Sequence, residues 1–386
     1  MLHPLRFSRR SLIKGIALAP LATPAILSRA RAADPIRIGI SGPMTGQFAQ
    51  NGQWMKSGVA IAVKQVNDKG GIKGRMIEVR IADDLGPNPT AAANAVTKLA
   101  TQDEVVALVG PHYTPGILPN VPLLAKYKIP CLTGATGPVV TQQGSPWVFR
   151  VRLNDAIGAD LLVKYVTEDL QWKKIGLGYV NTAFGQSGIA VVKASLTKRN
   201  VEPVLVQAHT DATKDYTSQI LAFQQAGVDG IIVWTDDQPA GLIAKQSKTL
   251  GVKFGIAGNT AFSQPIFLGL AGEGADGCMA IGEFVKDNPD ERVQSWKKLY
   301  AAAYPGDEPE LYATVYHDAA KLIIAAMQQA DPITGEGIQR ALTAIRDFQG
   351  IVTRYGWTDN GDMTHSGIIT KVTRGKPEIV KVISSS

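Results

Sequence analysis

Cysteine and histidine are scarce in this sequence, which has two cysteines and five histidines among 386 residues. None of them stands at the spacing of a structural zinc site, so we do not expect a zinc-stabilised fold. Cys131 lies in the apolar run Ile129-Pro-Cys-Leu132, and Cys278 opens the run Cys-Met-Ala-Ile281. These surroundings favour two buried, unpaired thiols, although a disulfide stays open for an exported chain.

Motifs for phosphate, dinucleotide or nucleophile chemistry are also missing. There is no Gly-x-x-x-x-Gly-Lys-Ser/Thr loop, and residues 39–46 lack the glycine spacing of a dinucleotide fingerprint. Residues 184–188, Phe-Gly-Gln-Ser-Gly, lack the residue that separates serine from the second glycine in a nucleophile elbow. We therefore expect no cofactor, no metal and no catalytic centre, which makes an enzyme the less favoured class.

The N-terminal apolar run is too short for a membrane anchor. Residues 15–27 fall short of the ~20 residues that a spanning helix needs, and Pro20 and Pro24 interrupt them. The run follows a basic stretch and precedes Ala30-Arg-Ala32, an arrangement typical of a cleaved export signal. We predict cleavage near Ala32 and a periplasmic mature chain.

The basic stretch contains a paired arginine. Ser8-Arg-Arg-Ser-Leu-Ile-Lys14 resembles the twin-arginine export motif, whose substrates cross the bacterial inner membrane already folded. An ordinary secretory signal is the alternative. Either route leads out of the cytoplasm.

The positive charge is concentrated in the N-terminal segment. The formal net charge is +7, but six of the 40 basic residues and none of the 33 acidic ones lie in residues 1–33. The rest of the chain has 34 basic and 33 acidic side chains and is close to neutral. A nucleic-acid-binding protein needs a basic face, and no cluster of Lys and Arg after residue 33 provides one. We therefore expect no nucleic-acid partner.

Short β-rich runs alternate with helical patterns through most of the chain. Ile36–Ile40, Ile77–Ala82 and Val105–Val109 are separated by helical patterns near Gly52–Lys69 and Thr90–Thr101. This rhythm predicts an α/β fold with parallel sheets. About 350 residues follow the signal, which is too long for one typical core and indicates two domains.

The last third departs from this rhythm. A helix near Leu311–Ala330 is followed by the run Phe348–Tyr355 and by two further runs, Gly367–Thr373 and Glu378–Ile383. The turn-like Arg374-Gly-Lys-Pro377 between the last two runs predicts a β-hairpin that closes the structure.

One strand-loop-helix-strand segment occurs twice. Residues 105–136 and 230–260 share their order and spacing more than their identities. In open parallel sheets, ligands bind outside the carboxyl ends of the strands, where both polar loops fall. Two lobes with such loops facing each other would form a cleft, although unrelated β-loop-α-β units would also look alike.

Polar side chains in these loops are the candidate ligand contacts. His112 directly follows a strand and could hydrogen-bond a carboxylate, or else point to solvent. Asp236 and Asp237 form an adjacent acidic pair at a strand end of the second copy. Because consecutive residues there point to opposite sides, we expect one to face the cleft and the other solvent. A single acid in a cleft suits an ammonium, amide or hydroxyl group better than acid-base catalysis.

Four aromatic residues near these loops are candidates for an apolar wall. They are Phe48, Tyr113, Phe184 and Trp234. Trp234 completes an apolar strand, so a place in the core is its alternative.

Seven short motifs occur in order along the chain. They are Ile38-Gly-Ile-Ser-Gly-Pro-Met-Thr-Gly46, Gly52-x5-Gly58, Val63-x3-Asn-x2-Gly-Gly71, Val109-Gly-Pro111, Gly134-Ala-Thr136, Tyr316-x-Asp-Ala319, and Phe348-x-Gly350 followed by Asn360-Gly-Asp362. Together they resemble the periplasmic binding proteins of ABC transporters, specifically the branched-chain amino-acid type. The resemblance covers essentially the whole chain after the signal. It implies a type I fold of two doubly wound parallel-sheet lobes, joined by a three-crossing hinge with the ligand cleft between them.

The resemblance also assigns roles to loop residues. In that family the ligand carboxylate is held by loops that match His112–Thr114 and Ala135–Thr136, which implies binding roles for Thr114, Ala135 and Thr136. An aromatic residue closes over the ligand, and Phe184 lies at the matching place. His112 and Tyr113 replace smaller family residues.

The acid that pairs with the ligand ammonium in that family matches Asn259 here, which cannot carry a charge. An α-amino acid is therefore expected only if Asp236 or Asp237 replaces that acid. Otherwise an aliphatic carboxylate, an aromatic carboxylate or an amide is the expected ligand.

The same resemblance implies domain boundaries. We expect a signal peptide at 1–32, an N-terminal lobe of 33–152 plus 284–352, and a C-terminal lobe of 153–283 plus 353–386. We expect the protein to be a monomer that binds a small molecule and hands it to an inner-membrane ABC permease. A ligand-sensing receptor of the same fold is the alternative, because only the partner surface would differ.

Overall fold

The computed structural model describes residues 34–358, 361–362 and 367–383, and the predicted export signal lies outside them. The strands in these ranges are β1 (Ile36–Gly42), β2 (Ile77–Asp83), β3 (Leu108–Val109), β4 (Cys131–Thr133), β5 (Val148–Arg150), β6 (Ile175–Val180), β7 (Leu205–His209), β8 (Gly230–Trp234), β9 (Gly255–Gly258), β10 (Met279–Gly282), β11 (Phe348–Gln349), β12 (Arg354–Tyr355), β13 (Gly367–Thr373) and β14 (Lys376–Ile383). The helices are α1 (Ala49–Asn67), α2 (Pro89–Thr101), α3 (Thr114–Ile117), α4 (Val121–Tyr127), α5 (Asp155–Lys164), α6 (Ala183–Thr197), α7 (Thr217–Gln225), α8 (Asp237–Thr249), α9 (Pro265–Ala271), α10 (Glu291–Ala303), α11 (Leu311–Gln329) and α12 (Gly335–Thr343). None of these helices combines the length and the apolar character of a membrane span.

The first sheet has five parallel strands in the order β2-β1-β3-β4-β5. Neighbouring residues of one strand contribute to opposite faces. Leu108 joins an apolar cluster with side chains of α2 to α4, and Val109 joins a larger cluster with α1 and α11. Helices therefore cover both faces, as near-continuous apolar strands require.

The second sheet has seven strands in the order β14-β13-β10-β9-β8-β6-β7. Strands β6 to β10 are parallel, whereas β13 is antiparallel to β10. Ile232 and Val233 again belong to separate apolar clusters on the two faces. The predicted α/β fold with parallel-dominated sheets is confirmed.

The two sheets repeat one strand order. The series β2-β1-β3-β4-β5 corresponds position by position to β7-β6-β8-β9-β10. The similar segments 105–136 and 230–260 contain the third and fourth strands of each series. The similarity seen in the sequence is therefore a structural repeat, and its polar loops leave the carboxyl ends of equivalent strands.

The C-terminal hairpin forms as predicted and joins the second sheet through β10. Thr373 pairs with Lys376 across a two-residue turn in which Arg374 and Gly375 both have positive φ, +50° and +71°. Such a turn matches the right-handed twist of the flanking strands. The second strand begins two residues before the predicted Glu378.

The loop after β3 depends on a glycine. Gly110 has a φ of +78°, and a side chain there would overlap the carbonyl oxygen of Ser41 in β1. The turn leads His112, Tyr113 and Thr114 along the carboxyl edge of the first sheet, where α3 begins.

Three described residues of the segment after β11, Tyr355, Trp357 and Asp362, contact the first sheet. Tyr355 and Trp357 belong to its larger apolar cluster, and Asp362 accepts a hydrogen bond from Arg150 Nε at 3.0 Å. These contacts hold Asp362 to β5. The predicted division into two lobes, with its boundary after residue 352, stays a prediction.

Both cysteines are buried and unpaired, as predicted. Cys131 lies in β4 and Cys278 directly precedes β10, and they belong to different apolar clusters. Burial raises the pKa of the Cys278 thiol to about 12, so the thiol stays protonated at neutral pH.

Candidate functional site

A cavity lies where the carboxyl ends of the parallel strands of both sheets meet. Eight of the ten predicted site residues line it: His112, Tyr113, Thr114, Thr136, Phe184, Asp236, Asp237 and Asn259. Seven further lining residues carry polar or aromatic groups: Arg152, Asp155, Trp234, Thr235, Thr260, Glu283 and Tyr312. The structural repeat therefore brings both polar loops to one cavity.

Two predicted site residues, Phe48 and Ala135, are not among those that line the cavity. Phe48 packs behind Tyr113, with ring centroids 5.0 Å apart. The Ala135 N–H donates to Thr133 Oγ1 at 3.1 Å, and its carbonyl accepts from Arg150. Both backbone groups of Ala135 thus have protein partners, and its expected role in holding a carboxylate stays a prediction.

His112 presents a neutral imidazole to the cavity. Its Nδ1 lies 2.7 Å from the Tyr316 hydroxyl. When that hydroxyl donates to Nδ1, the ring hydrogen of the neutral imidazole is on Nε2, which can then donate to a ligand. Burial, and then the charge of Arg152, hold the pKa of His112 well below its usual range. The imidazole therefore suits a ligand acceptor such as a carboxylate oxygen.

Asp236 and Asp237 both line the cavity, which corrects the expectation that one would face solvent. The chain turns into α8 between them, so the alternation of the preceding strand ends there. Asp237 is only 6% exposed, and Asp236 is partly buried. Burial, and then repulsion between the two carboxylates, raise the pKa of Asp236 to about 8. Burial also raises the pKa of Asp237 to about 6, although Asn51 and Arg152 favour its charged form.

Asp236 is the N-cap residue of α8, but its carboxyl group accepts no hydrogen bond from the described residues. A buried carboxylate without a donor is costly, which is why its neutral form is favoured. A cationic ligand group would supply the missing partner. Asp236 is therefore an available acceptor at the carboxyl end of the second sheet.

Asn259 holds the ends of two neighbouring strands together. Its Oδ1 accepts from the Thr235 N–H at 3.2 Å, and its Nδ2 donates to the Thr235 carbonyl at 3.0 Å. Thr235 directly follows β8 and Asn259 directly follows β9. The side chain lines the cavity, but its amide is engaged by the backbone, so its main contribution is to loop geometry.

A buried ion pair joins two segments that are far apart in sequence. Arg152 Nε lies 2.6 Å from Glu283 Oε1, and Arg152 Nη2 donates to Thr260 Oγ1 at 3.2 Å. Burial opposes the charge of Arg152, but Glu283 together with the neighbouring Tyr312 and Tyr316 outweighs this effect and raises the pKa of Arg152 above its usual value. The pair therefore places a permanent cation at the cavity wall.

Trp234 lies in the apolar core and also lines the cavity, so the two places considered for it in the sequence are compatible. Its side chain is 1% exposed in the apolar cluster of the second sheet, and its Nε1 donates to Asp155 Oδ2 at 3.0 Å. Burial raises the pKa of Asp155 to about 6, against the stabilising contacts of Trp234 and Thr136. Asp155 thus already has protein partners.

Sequence reasoning treated Arg152, Asp155 and Glu283 only as parts of the expected crossings between lobes. The sequence did contain one indication of a buried ion pair, a charged residue between two apolar ones, as in Val151-Arg-Leu153. Charged side chains are almost never fully buried unless paired, so such a pattern indicates a hidden partner. The partner itself could not be named, because 131 positions separate Arg152 from Glu283.

Comparisons with known proteins agree with this architecture. A family model described as periplasmic binding protein matches residues 35–377. Leu/Ile/Val-binding protein homolog 1 of Brucella melitensis is 27% identical over 365 residues, which cover 94% of this chain and 95% of the relative. The leucine-, isoleucine-, valine-, threonine- and alanine-binding protein of Pseudomonas aeruginosa is 24% identical over 349 residues, 89% of this chain and 91% of that protein.

Solved structures share the fold. The substrate-binding protein LivJ of Streptococcus pneumoniae, in complex with isoleucine, has a TM-score of 0.85 at 24% identity and covers 91% of this chain and 100% of its own. A solute-binding protein of R. palustris in complex with benzoate has a TM-score of 0.83 at 18% identity, covering 91% and 96%. The family model spans nearly all of the described residues, and the chain belongs to the periplasmic binding protein family.

Proposed function

We propose that this chain is a non-catalytic, extracytoplasmic solute-binding protein that captures a small amino acid and delivers it to an ABC permease. The observation that carries the proposal is the arrangement of charge around one cavity. Donors line it from the first sheet, through His112 and Thr114, and acids line it from the second, through Asp236 and Asp237. A zwitterion presents the complementary groups.

The ligand carboxylate fits the side of the cavity formed by the first sheet. His112 offers its Nε2–H, and Thr114 Oγ1 accepts from the Gly137 N–H at 3.2 Å, which leaves its hydroxyl hydrogen for a ligand. Arg152 adds positive potential from the cavity wall. These side chains can stabilise an anion without backbone N–H donors. The backbone N–H of Ala135 is therefore not required, and it already donates to Thr133.

The ligand ammonium fits Asp236. An adjacent cation favours the charged carboxylate, so binding would lower the pKa of Asp236 from about 8 and form a charge-assisted hydrogen bond. Asp237 adds a second negative charge at the same edge. Asp236 thus takes the role that the family places at Asn259.

The ligands named for the relatives support a small amino acid or carboxylate as the ligand class. They include Leu/Ile/Val-binding proteins and structures with isoleucine or benzoate. Benzoate has no ammonium and would leave the Asp236 carboxylate without a partner. We therefore place an amino acid ahead of an aromatic carboxylate.

Capture would involve closure of two lobes about the chain crossings. Ligand contacts from both lobes stabilise the closed form over the open one. A micromolar dissociation constant corresponds to about −8 kcal/mol, which a few charge-assisted hydrogen bonds can supply after the cost of ordering. The mature chain would act in the periplasm as a monomer after cleavage near Ala32.

The test is thermal shift and titration calorimetry on the chain from Ala33, with amino acids and carboxylates that lack the amino group. We expect amino acids to raise the melting temperature, because only ligands of the folded state stabilise it. Asp236→Asn should weaken amino-acid binding by about tenfold to a hundredfold, equivalent to the loss of one charged hydrogen bond.

Glu202→Gln is the matched control, since Glu202 is exposed and distant from the cavity lining. It should bind as the wild type does. If carboxylates without an amino group bind more tightly than amino acids, and Asp236→Asn changes neither affinity, the amino-acid assignment is wrong.

A further inference from the structure

The Arg152–Glu283 pair leaves two polar atoms without partners at the cavity. Glu283 Oε2 is buried and has no hydrogen-bond partner, although Oε1 is engaged. Arg152 donates through Nε and Nη2, whereas Nη1 donates to none of the described residues. Both residues line the cavity, and their side chains are 7% and 1% exposed.

Three other polar side chains of the cavity already have a partner or an assigned role. Asp155 accepts from Trp234, and the amide of Asn259 is bound to the backbone of Thr235. Asp236 has been assigned to the ligand ammonium. The free donor and the free acceptor of the ion pair are therefore available for a third group on the ligand.

We propose that the Arg152–Glu283 pair binds a carboxamide group of the ligand. The carboxamide oxygen accepts from Arg152 Nη1, and one amide N–H donates to Glu283 Oε2. This inference rests on the proposed function, because it assumes that a ligand with its carboxylate and ammonium bound elsewhere occupies the cavity. It narrows the substrate class to amino acids with an amide side chain.

Other side-chain groups fit the pair less well. A carboxylate would satisfy Arg152 but would be repelled by Glu283 Oε2, whose charge is not shared with a second donor. A branched aliphatic group would leave both polar atoms buried and unpaired, which costs more than a lost contact alone. A site built to hydrogen-bond its ligand rejects an apolar isostere strongly.

The experiment compares ligands of matched shape on the chain from Ala33 by titration calorimetry. Asparagine, leucine and aspartate have the same number of non-hydrogen side-chain atoms, and glutamine, methionine and glutamate form a second, longer series. We expect the amide member of at least one series to bind about tenfold or more tightly than its apolar and acidic counterparts.

Two variants test the pair itself. Glu283→Gln removes the negative charge, so the preference for amide over carboxylate should fall by about tenfold or reverse. Arg152→Met with Glu283→Met replaces the pair by apolar groups, which proteins often tolerate, and should shift the preference to leucine or methionine. Circular dichroism and melting curves establish that each variant folds.

The outcomes separate this inference from the proposed function. If leucine binds more tightly than asparagine in the wild type, and neither variant changes the ratio of affinities, the pair is structural and only the carboxamide inference is overturned. If no amino acid binds, the proposed function fails and the inference falls with it. A wild-type amide preference that is lost in both variants supports the inference.

Discussion

Asp236 is the residue whose protonation state most depends on the ligand. Its carboxyl group lines the cavity without a hydrogen-bond donor from the described residues, and burial raises its pKa from 3.8 to about 8. A raised pKa in an acid means that the folded protein binds the proton more tightly than the unfolded chain does. Its contribution to the unfolding free energy is therefore present at low pH and is lost as the pH rises.

We predict that the unliganded chain loses stability between about pH 4 and pH 8, in part because Asp236 must ionise in the cavity. Asp236→Asn should flatten this dependence, since the amide does not titrate. Urea unfolding at pH 5, 6.5 and 8 measures the slope for both proteins. Asp155 shifts in the same direction but remains in both proteins, so its contribution cancels in the comparison. Equal slopes would contradict the assignment.

Asn259 illustrates how a residue at a binding position can serve structure. Its amide pairs with both backbone groups of the fully buried Thr235. The sequence showed that position 259 lacks the acid expected from the family. The contacts show that the asparagine there bonds the backbone of Thr235.

We predict that Asn259→Ala lowers the unfolding free energy by about 1–3 kcal/mol, because it leaves buried backbone groups unsatisfied. Chemical denaturation of the unliganded chain measures this loss. Asn181→Ala is the control, since Asn181 is exposed and contacts only Gln186 by its side-chain oxygen. A change no larger than that of the control would show that water replaces the amide.

At the scale of elements, the loop after β4 is shaped by close packing against α11. A side chain on Gly134 would lie 2.5 Å from the Tyr316 hydroxyl and 2.6 Å from His112 Nδ1. Only glycine lets the loop approach the pair that sets the tautomer of His112. Loop and helix together therefore aim the imidazole.

We predict that Gly134→Ala weakens ligand binding by about tenfold or more, because it displaces His112 from Tyr316. Calorimetry with the best amino-acid ligand measures the loss. Gly269→Ala is the matched control, since a side chain there meets open space in α9. Unchanged affinity for Gly134→Ala would exclude His112 as a ligand contact.

At the scale of the molecule, contacts at the rim join the two sides of the cavity. Gln238 Nε2, at the start of α8, donates to the carbonyl of Gln47 at 3.1 Å. Arg152 reaches Thr260 from the end of β5. A ligand between the sheets would add contacts of the same kind, so its binding should favour this compact arrangement.

We predict that ligand decreases the radius of gyration of the chain from Ala33, measured by small-angle X-ray scattering with and without saturating amino acid. Gln238→Ala should shift the unliganded chain towards the more open form and lower the affinity slightly, because one rim contact is lost. A radius that is the same in both states would argue against closure as part of capture.

The sequence by itself determined the features that depend on near neighbours. Apolar runs predicted the parallel strands, Arg374-Gly375 predicted the hairpin turn, and the repeated strand-loop-helix-strand segment predicted where ligand loops would lie. These follow from local periodicity and turn chemistry, which a few consecutive residues decide.

Only the tertiary structure decided how the loops and crossings combine into a site. It placed both Asp236 and Asp237 at the cavity, bound Asn259 to the backbone, and joined Arg152 to Glu283. Local patterns could not reveal these contacts, because the electrostatic and hydrogen-bond energies involved depend on distances in space between segments far apart in the chain.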